Sequence, residues 1–424
     1  MSYSRRAFIS AAAAASTFVM RSAGAAPLTL QVSATPSIFK QMFVTLCREF
    51  ERAHPGVRVA LSANSRSQDD EFLATLRRAL IRELPDVSFQ AFSYLRDLAQ
   101  RSLLVPLNEL IAKDPAWTAD RFPASLAEIG SVGRAVYGLG AGVSVPMVFY
   151  DAAKVEAAWG PRPMPPDWES MLELIVELGR REKRPALGAF CQHDTGNWIY
   201  SSIVEGLGGR LMTPNERRIA FDQPPGQQTL EIFRAFGRAG QFRADMSIDQ
   251  ARQAFVAGTI GLIVDSSSTL SLFERQIGGR FALGSARLPL APGGRVPVSG
   301  IASVLLAREP ARQQAAWQFM RFVSGPAGQQ IIGRSSGYFP ANELVASRSD
   351  WLGAYYASRS LARPVIETLP LTVRSPGFPG DNASKIDAVI HDQVASIITL
   401  TKTPEQALRV MTDRVQQLLP ATLA

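Results

Sequence analysis

Cysteine and histidine are nearly missing from this sequence: its 424 residues include 2 cysteines and 3 histidines. Cys47 sits in the first predicted helix and Cys191 far along the chain, so a disulfide would have to join distant segments; two free, buried thiols are expected. His54, His193 and His391 show no close spacing with cysteine, which argues against a zinc site, and neither a metal nor a cofactor is expected. Charged residues make up only 19%, and after residue 26 no apolar run is long enough to span a bilayer. There is no lysine-rich tail and no basic run with interleaved aromatics, so the formal charge of +8 reads as dispersed arginine and a nucleic-acid partner is not expected. A general positive bias still favours an anionic ligand or an acidic partner surface. Catalytic signatures are missing as well. No phosphate loop, nucleophile elbow, HExxH or serine-histidine pattern occurs, and carboxylate pairs such as Asp69 and Asp70 are what any chain of this size contains.

What is present begins with an export signal. Ser4, Arg5, Arg6 and Phe8 precede a weakly hydrophobic, alanine-rich segment from Ala11 to Met20, followed by the small residues Ala23 to Ala26. The paired arginines point to the twin-arginine route, although Ser10 stands where a lysine is common. Cleavage is expected after Ala25 or Ala26, leaving a soluble periplasmic protein. The remaining chain is too long for one core, so two α/β lobes are expected.

The stretch Ala254–Leu270, AFVAGTIGLIVDSSSTL, organises the rest. A helix stops at Gly258, a short buried strand follows, and Asp265 to Ser268 supply cap chemistry where a strand ends and a new helix begins. In open α/β sheets that is where ligands bind; an ordinary capped turn reads the same. Upstream, Leu28–Ala34 and Val57–Ser62 alternate like strands around a helix at 37–53 carrying Ile38, Met42, Leu46 and Phe50 on one face. The polar loop Asn64–Asp70, with Ser67 and Asp70, is either ligand-contacting or a solvated connection capped at Asp69 or Asp70. Its helix presents Phe72, Leu76 and Leu80. Tyr137–Tyr150, YGLGAGVSVPMVFY, changes composition: three glycines and Pro146 suggest a strand leaving one lobe and entering the other, with Ser144 beside the interlobe space. The helix at 167–181 should bury Trp168, Leu172, Ile175 and Val176, and that at 313–324 Ala316, Phe319, Met320 and Val323. Trp198, in the first turn of a helix, is a stacking platform or a core anchor. Gly300 marks a close backbone approach or a bulge, and SSGYFP at 335–340 reads as a turn crossing back between lobes.

Taken in order, FERAHPGVRV, PPDWESMLELI, AFVAGTIGLIVDSSSTL, SGIASVLLA, AAWQFMRFVSGPAGQQIIGRSSGYFPAN and TPEQAL resemble the extracellular solute-binding proteins of sugar-type ABC importers, the glycerol-3-phosphate and glycerophosphodiester binders in particular. The resemblance implies a two-lobed periplasmic-binding-protein (Venus flytrap) fold with crossing hinge segments. Residues 1–26 would be the signal, 27–140 and 266–332 lobe I, and 141–265 and 333–424 lobe II. It implies no catalysis: a monomer would capture a sugar, polyol or glycerol-phosphate-like solute and deliver it to an ABC permease in the inner membrane. The alternative is a secreted carbohydrate-active enzyme. By the same resemblance Ser144, Trp198, Ser266, Ser267, Gly300 and Tyr338 contact the ligand, joining Ser67 and Asp70. Two departures stand out, since Phe92 replaces a glutamate of the glycerol-phosphate binders and Asp387 an arginine, leaving Arg374 and Lys385 as the nearest anion contacts.

Overall fold

Ten strands, all present in a computed structural model that describes residues 27–182, 186–193, 197–243, 246–374 and 377–420, form two separate sheets. In chain order the strands are β1 (Leu28–Ser33), β2 (Val57–Ser62), β3 (Val87–Ala91), β4 (Gly138–Ser144), β5 (Pro146–Asp151), β6 (Leu187–Cys191), β7 (Ile260–Ser266), β8 (Leu283–Arg287), β9 (Ser299–Leu305) and β10 (Phe339–Pro340). The first sheet has the order β10-β4-β9-β3-β1-β2, and the second β8-β5-β7-β6. β1 pairs parallel with β2 and β3, while β9 runs antiparallel to both β3 and β4. In the second sheet β5 and β7 are antiparallel and β6 joins β7 in parallel. Each sheet is covered by helices, which gives the two-lobed α/β fold of the periplasmic binding proteins.

The helices that position the cleft are α1 (Lys40–Ala53), α2 (Gln68–Leu80), α3 (Leu95–Gln100), α4 (Trp168–Arg181), α5 (Trp198–Gly206), α6 (Pro224–Arg238), α7 (Ile248–Val256), α8 (Leu270–Ile277), α9 (Pro310–Ser324), α10 (Pro326–Ser335), α11 (Ala383–Ile398) and α12 (Pro404–Leu418). α1 buries Met42, Phe43, Leu46, Cys47 and Phe50 against the first sheet and ends where His54 N–H bonds Phe50 O, before Pro55 and Gly56. Asp167 caps α4, its carboxylate accepting from Ser170 N–H at 2.9 Å. The face α4 buries is Trp168, Met171, Leu174, Ile175 and Leu178, so the expected stripe is displaced: Val176 is 51% exposed. α9 buries the four apolar residues expected of it. In α2 the buried residues are Glu71, Phe72 and Thr75, while Leu80 is 85% exposed. Cys47 and Cys191 are both buried and unbridged. No helix among the described residues is long and apolar enough to cross a membrane.

The lobe boundaries differ from the expected ones. β4 pairs with β9 as far as Ser144, because Ser299–Val304 provide its ladder, so the backbone passes between sheets at Val145 and not near 140. α8 and β8 belong to the second lobe: Phe273 packs on Phe149, and Leu283–Arg287 pair with Met147–Asp151. SSGYFP does not cross back. Phe339 and Pro340 pair with Val143 and Gly142 at the edge of the first sheet; just before them Ser336 O accepts from Ser271 Oγ and Gly337 N–H donates to Ser268 O, and the chain rejoins the second lobe along 359–368, where Arg359 pairs with Glu274, Ser285 Oγ donates to Leu361 O and the helix Arg363–Thr368 meets β8. The anticipated signal, residues 1–26, lies outside the described residues.

Candidate functional site

Two strand ends meet where the chain passes between the lobes. Val145, the single residue between β4 and β5, donates its N–H to Ser267 Oγ at 3.2 Å and accepts from Ser267 N–H at 2.8 Å. Ser267 is fully buried and points into this crossing. On either side, Ser144 closes β4 and Ser266 closes β7, with Pro146 opposite Ser266 in register. Ser266 Oγ accepts from Ser268 N–H at 3.2 Å and shares a 2.8 Å hydrogen bond with Ser268 Oγ. The expected cap is therefore real, but it serves a 3-10 turn, Ser267–Thr269, before α8 begins. Asp265 is not the cap of that turn: its fully buried carboxylate accepts from Ser266 N–H at 2.6 Å and takes a two-point grip from Arg252 of α7, Nε at 2.8 Å and Nη2 at 3.0 Å.

The walls above this floor come from both lobes and enclose a cavity of about 250 Å³. From the first lobe, Ser67 caps α2. Its hydroxyl accepts from Asp70 N–H at 3.0 Å while Asp70 accepts from Ser67 N–H at 3.2 Å, so the cap is Ser67 and not Asp69 or Asp70. This loop is anchored by Glu71, a buried carboxylate that accepts from Ser33, Ser65 and Ser88 hydroxyls and from Arg78. From the second lobe comes Trp198, at the start of α5 after Asn197, a residue type that tolerates its left-handed φ of 55°. Only 9% exposed, Trp198 donates Nε1–H to Pro297 O at 2.7 Å and borders the cavity, so it is anchored in the core at the cavity's edge. Tyr338 closes the other side, edge-on to Phe39. Burial pushes its phenol up to about 12, opposed by hydrogen bonds with Gln68 and Ser268, so it is neutral and able to donate.

Ser67, Asp70, Ser144, Trp198, Ser266 and Tyr338 thus line one cavity. The other three expected residues stand differently. Ser267 lies behind the wall, occupied in the crossing. Gly300 is beside the cavity, its carbonyl 3.5 Å from Gln68 Nε2; its φ of 143° and a virtual Cβ 2.1 Å from Gly142 O require glycine. Arg374 is away from this cavity: its guanidinium donates to Ser131 O at 2.5 Å. Lys385 is exposed on α11. Arg66, Gln68, Gln192, Ser247, Asp249, Arg252, Ser268 and Ser299 also line the cavity, and of these Arg66, Gln68, Ser268 and Ser299 fall within stretches whose sequence marks them.

A second, larger cavity of about 530 Å³ continues the cleft. One stripe of α5 borders both spaces, Trp198 the first, Ser201 and Glu205 the second, as spacings of three and seven residues on a helix require. Opposite stand Phe72 and Tyr94, stacked at 4.3 Å, and Asp97 of α3. Arg96 reaches across the cleft to Glu216 with bonds of 2.8 and 2.9 Å, tying the lobes together. Arg374 is on the rim of this space, with Asp387 of α11 inside it. Burial raises the Asp387 carboxyl to about 7; the Asn197 amide opposes the shift, and Asp69 and Asp97 add to it. Glu205 is raised to about 7 by burial, against the pull of Arg210. Among the described residues no cluster of three or more His, Cys, Asp or Glu side chains is arranged to hold a metal.

Two sheets joined by crossing strands, with a polar cavity between them, define a solute-binding architecture. Residues 45–357 match the profile of the bacterial extracellular solute-binding proteins, and the chain belongs to that family. It is 22% identical over 296 residues to the sn-glycerol-3-phosphate-binding periplasmic protein UgpB of Pectobacterium atrosepticum, a match covering 65% of this chain and 64% of that protein. The chain thus spans just under two thirds of that curated relative. UgpB from Mycobacterium tuberculosis, solved in complex with glycerophosphocholine, superposes with a TM-score of 0.79 at 19% identity, over 93% of this chain and 98% of the other. The GacH receptor of Streptomyces glaucescens, solved unliganded and with acarbose, gives 0.77 at 17% identity over 93% and 98%. These likenesses establish the fold. The family match lends no support to the alternative of a secreted enzyme.

Proposed function

We propose that this protein is the substrate-binding component of an ABC importer and captures a sugar, polyol or glycerol-phosphate-like solute by closing its lobes, then presents it to a permease in the inner membrane. The observation that carries the reading is the cavity at the crossing strands: both lobes contribute walls, and the lining combines hydroxyls, two amides, carboxylates, guanidinium groups and one indole. Such a set satisfies the many hydroxyls of a polyol and stacks on its apolar ring face. Ser67, Asp70, Ser144, Trp198, Ser266 and Tyr338 are the assigned ligand contacts, with Gly300 shaping the wall. Arg374 serves only a ligand long enough to reach the second cavity. The family is extracellular, and the relative from Pectobacterium is a periplasmic glycerol-3-phosphate binder, which supports the same location and ligand class here. Residues 1–26, with Arg5 and Arg6, would direct export by the twin-arginine route. The protein would act as a monomer and without nucleic acid, since the arginines are dispersed and many pair with acids.

Isothermal calorimetry of the mature protein against sugars, polyols, glycerol phosphates and their diesters tests the reading. Saturable heat with at least one class is expected, lost on Trp198→Ala. Silence across all classes overturns it.

A further inference from the structure

The helix behind the first-lobe wall of the cavity hides a charge and shows apolar side chains. On α2, Glu71 is 1% exposed and Thr75 fully buried, while Leu73 is 44% and Leu80 85% exposed. An apolar side chain at position 71 would pack the helix on the first sheet without taking a carboxylate out of water, an exchange that is commonly neutral or stabilising. The charge therefore calls for a reason other than stability. Its two oxygens divide their partners. Oε1 faces the sheet, accepting from Ser33 at the end of β1, from Ser88 of β3 at 3.2 Å and from Arg78 at 3.0 Å. Oε2 accepts from Ser65 Oγ at 2.6 Å, in the segment that carries Arg66, Ser67, Gln68 and Asp70 to the cavity. Residues 63–67 belong to no helix or strand, so their placement rests on such bonds. Thr35 adds a second, its hydroxyl donating to Ser67 O at 2.8 Å, and Ser37 N–H donates to Ser65 O at 2.9 Å.

We propose that Glu71 is a positioning residue for solute capture: by fastening Ser65 to the first sheet it holds Ser67, Gln68 and Asp70 in place before any solute arrives. The assignment rests on the solute-capture reading above and adds to it a side chain that lies behind the wall and touches no ligand. A loop free to wander would have to be ordered at the moment of binding, and that entropy would be subtracted from affinity. The buried charge gives up stability for an ordered site.

Hydrogen exchange of the ligand-free protein, read by mass spectrometry, and calorimetry against sn-glycerol 3-phosphate, glycerophosphocholine, glucose and maltose test this with two matched substitutions. Ser65→Ala and Ser88→Ala each take one hydroxyl from the same carboxylate, and both should lower the melting temperature, but only the first cuts the loop from it. In Ser65→Ala the amides of residues 64–70 should exchange about ten-fold faster, and the probe that binds the parent most tightly should bind about five-fold more weakly, the loss falling in the entropy. In Ser88→Ala loop exchange and affinity should both stay within about two-fold of the parent's. Unchanged loop exchange in Ser65→Ala overturns the positioning role whatever the probes show. Faster exchange without weaker binding, or an equal loss of affinity in Ser88→Ala, also overturns it and leaves solute capture intact. No heat from the parent with any of the four overturns solute capture and the positioning role with it.

Discussion

Replacing Asp387 by asparagine should stabilise the ligand-free protein in alkali and leave it unchanged in acid. The carboxyl stands at about 7 instead of its ordinary 3.8, chiefly because burial strips its water. A folded-state value above the unfolded one means that the group's contribution to stability is complete only below about 4 and is lost as pH rises through about 7. Bringing the carboxyl from 3.8 to about 7 sets a ceiling of roughly 4 kcal/mol, at ~1.4 kcal/mol for each unit of pH. The second cavity is open to water and Asp387 is only half-buried, so about 2 kcal/mol is expected near pH 8. Asparagine keeps an oxygen where Asn197 Nδ2 donates, so no bond is lost. Urea denaturation of both proteins near pH 5, 6.5 and 8 should show the curves separating as pH rises. A constant offset at every pH, or a less stable variant near pH 8, would refute the reasoning. Glu205→Gln should behave the same way, since burial also raises that carboxyl to about 7. The two effects should not add in full, because both charges share one space.

Three further outcomes follow from the packing. Arg252→Met leaves Asp265 buried with only the Ser266 amide at 2.6 Å and should cost about 3–5 kcal/mol; Asp265→Asn in that background should recover most of it, and full additivity in denaturation experiments would count against the pair. Gly300→Ala drives a methyl into Gly142 O at a φ that side chains rarely adopt, so about 2 kcal/mol or more should be lost; a melting temperature equal to that of the parent would show that β9 is not held as described. Arg96→Ala removes a partly exposed two-point contact across the cleft, worth about 1 kcal/mol, and should enlarge the ligand-free radius of gyration in X-ray scattering, where an unchanged radius would deny that it ties the lobes.

Much of the frame was legible because the signals were local. β1, α1 and β2 follow from alternation, a four-residue period and the HPG stop, and a crossing strand within Tyr137–Tyr150 follows from its glycines and proline, although its passage at Val145 does not. The serine-rich end of β7 was readable for the same reason. Where a helix has apolar residues on several faces, period alone misplaces the stripe: α4 carries Met171, Leu174 and Leu178 as well as Leu172 and Val176, and only the neighbouring sheet decides between them. The polar interior was not readable at all. Glu71 collects hydroxyls from Ser33 and Ser88, Asp265 is held by a helix thirteen residues earlier, and Asp97 of α3 lies near enough to Asp387 of α11 to raise its carboxyl. Each of these is a contact between segments, with no spacing pattern to betray it. Arg374 shows the converse, a residue of suitable chemistry whose loop carries it to Ser131 and the rim.

A crystal structure of the protein with whichever solute gives calorimetric heat addresses the account most directly. The solute should lie between the sheets, in contact with Ser144 and Ser266 at the crossing and against the ring of Trp198. Density for it on an outer face of either lobe, with the space above Val145 filled by side chains, would contradict it.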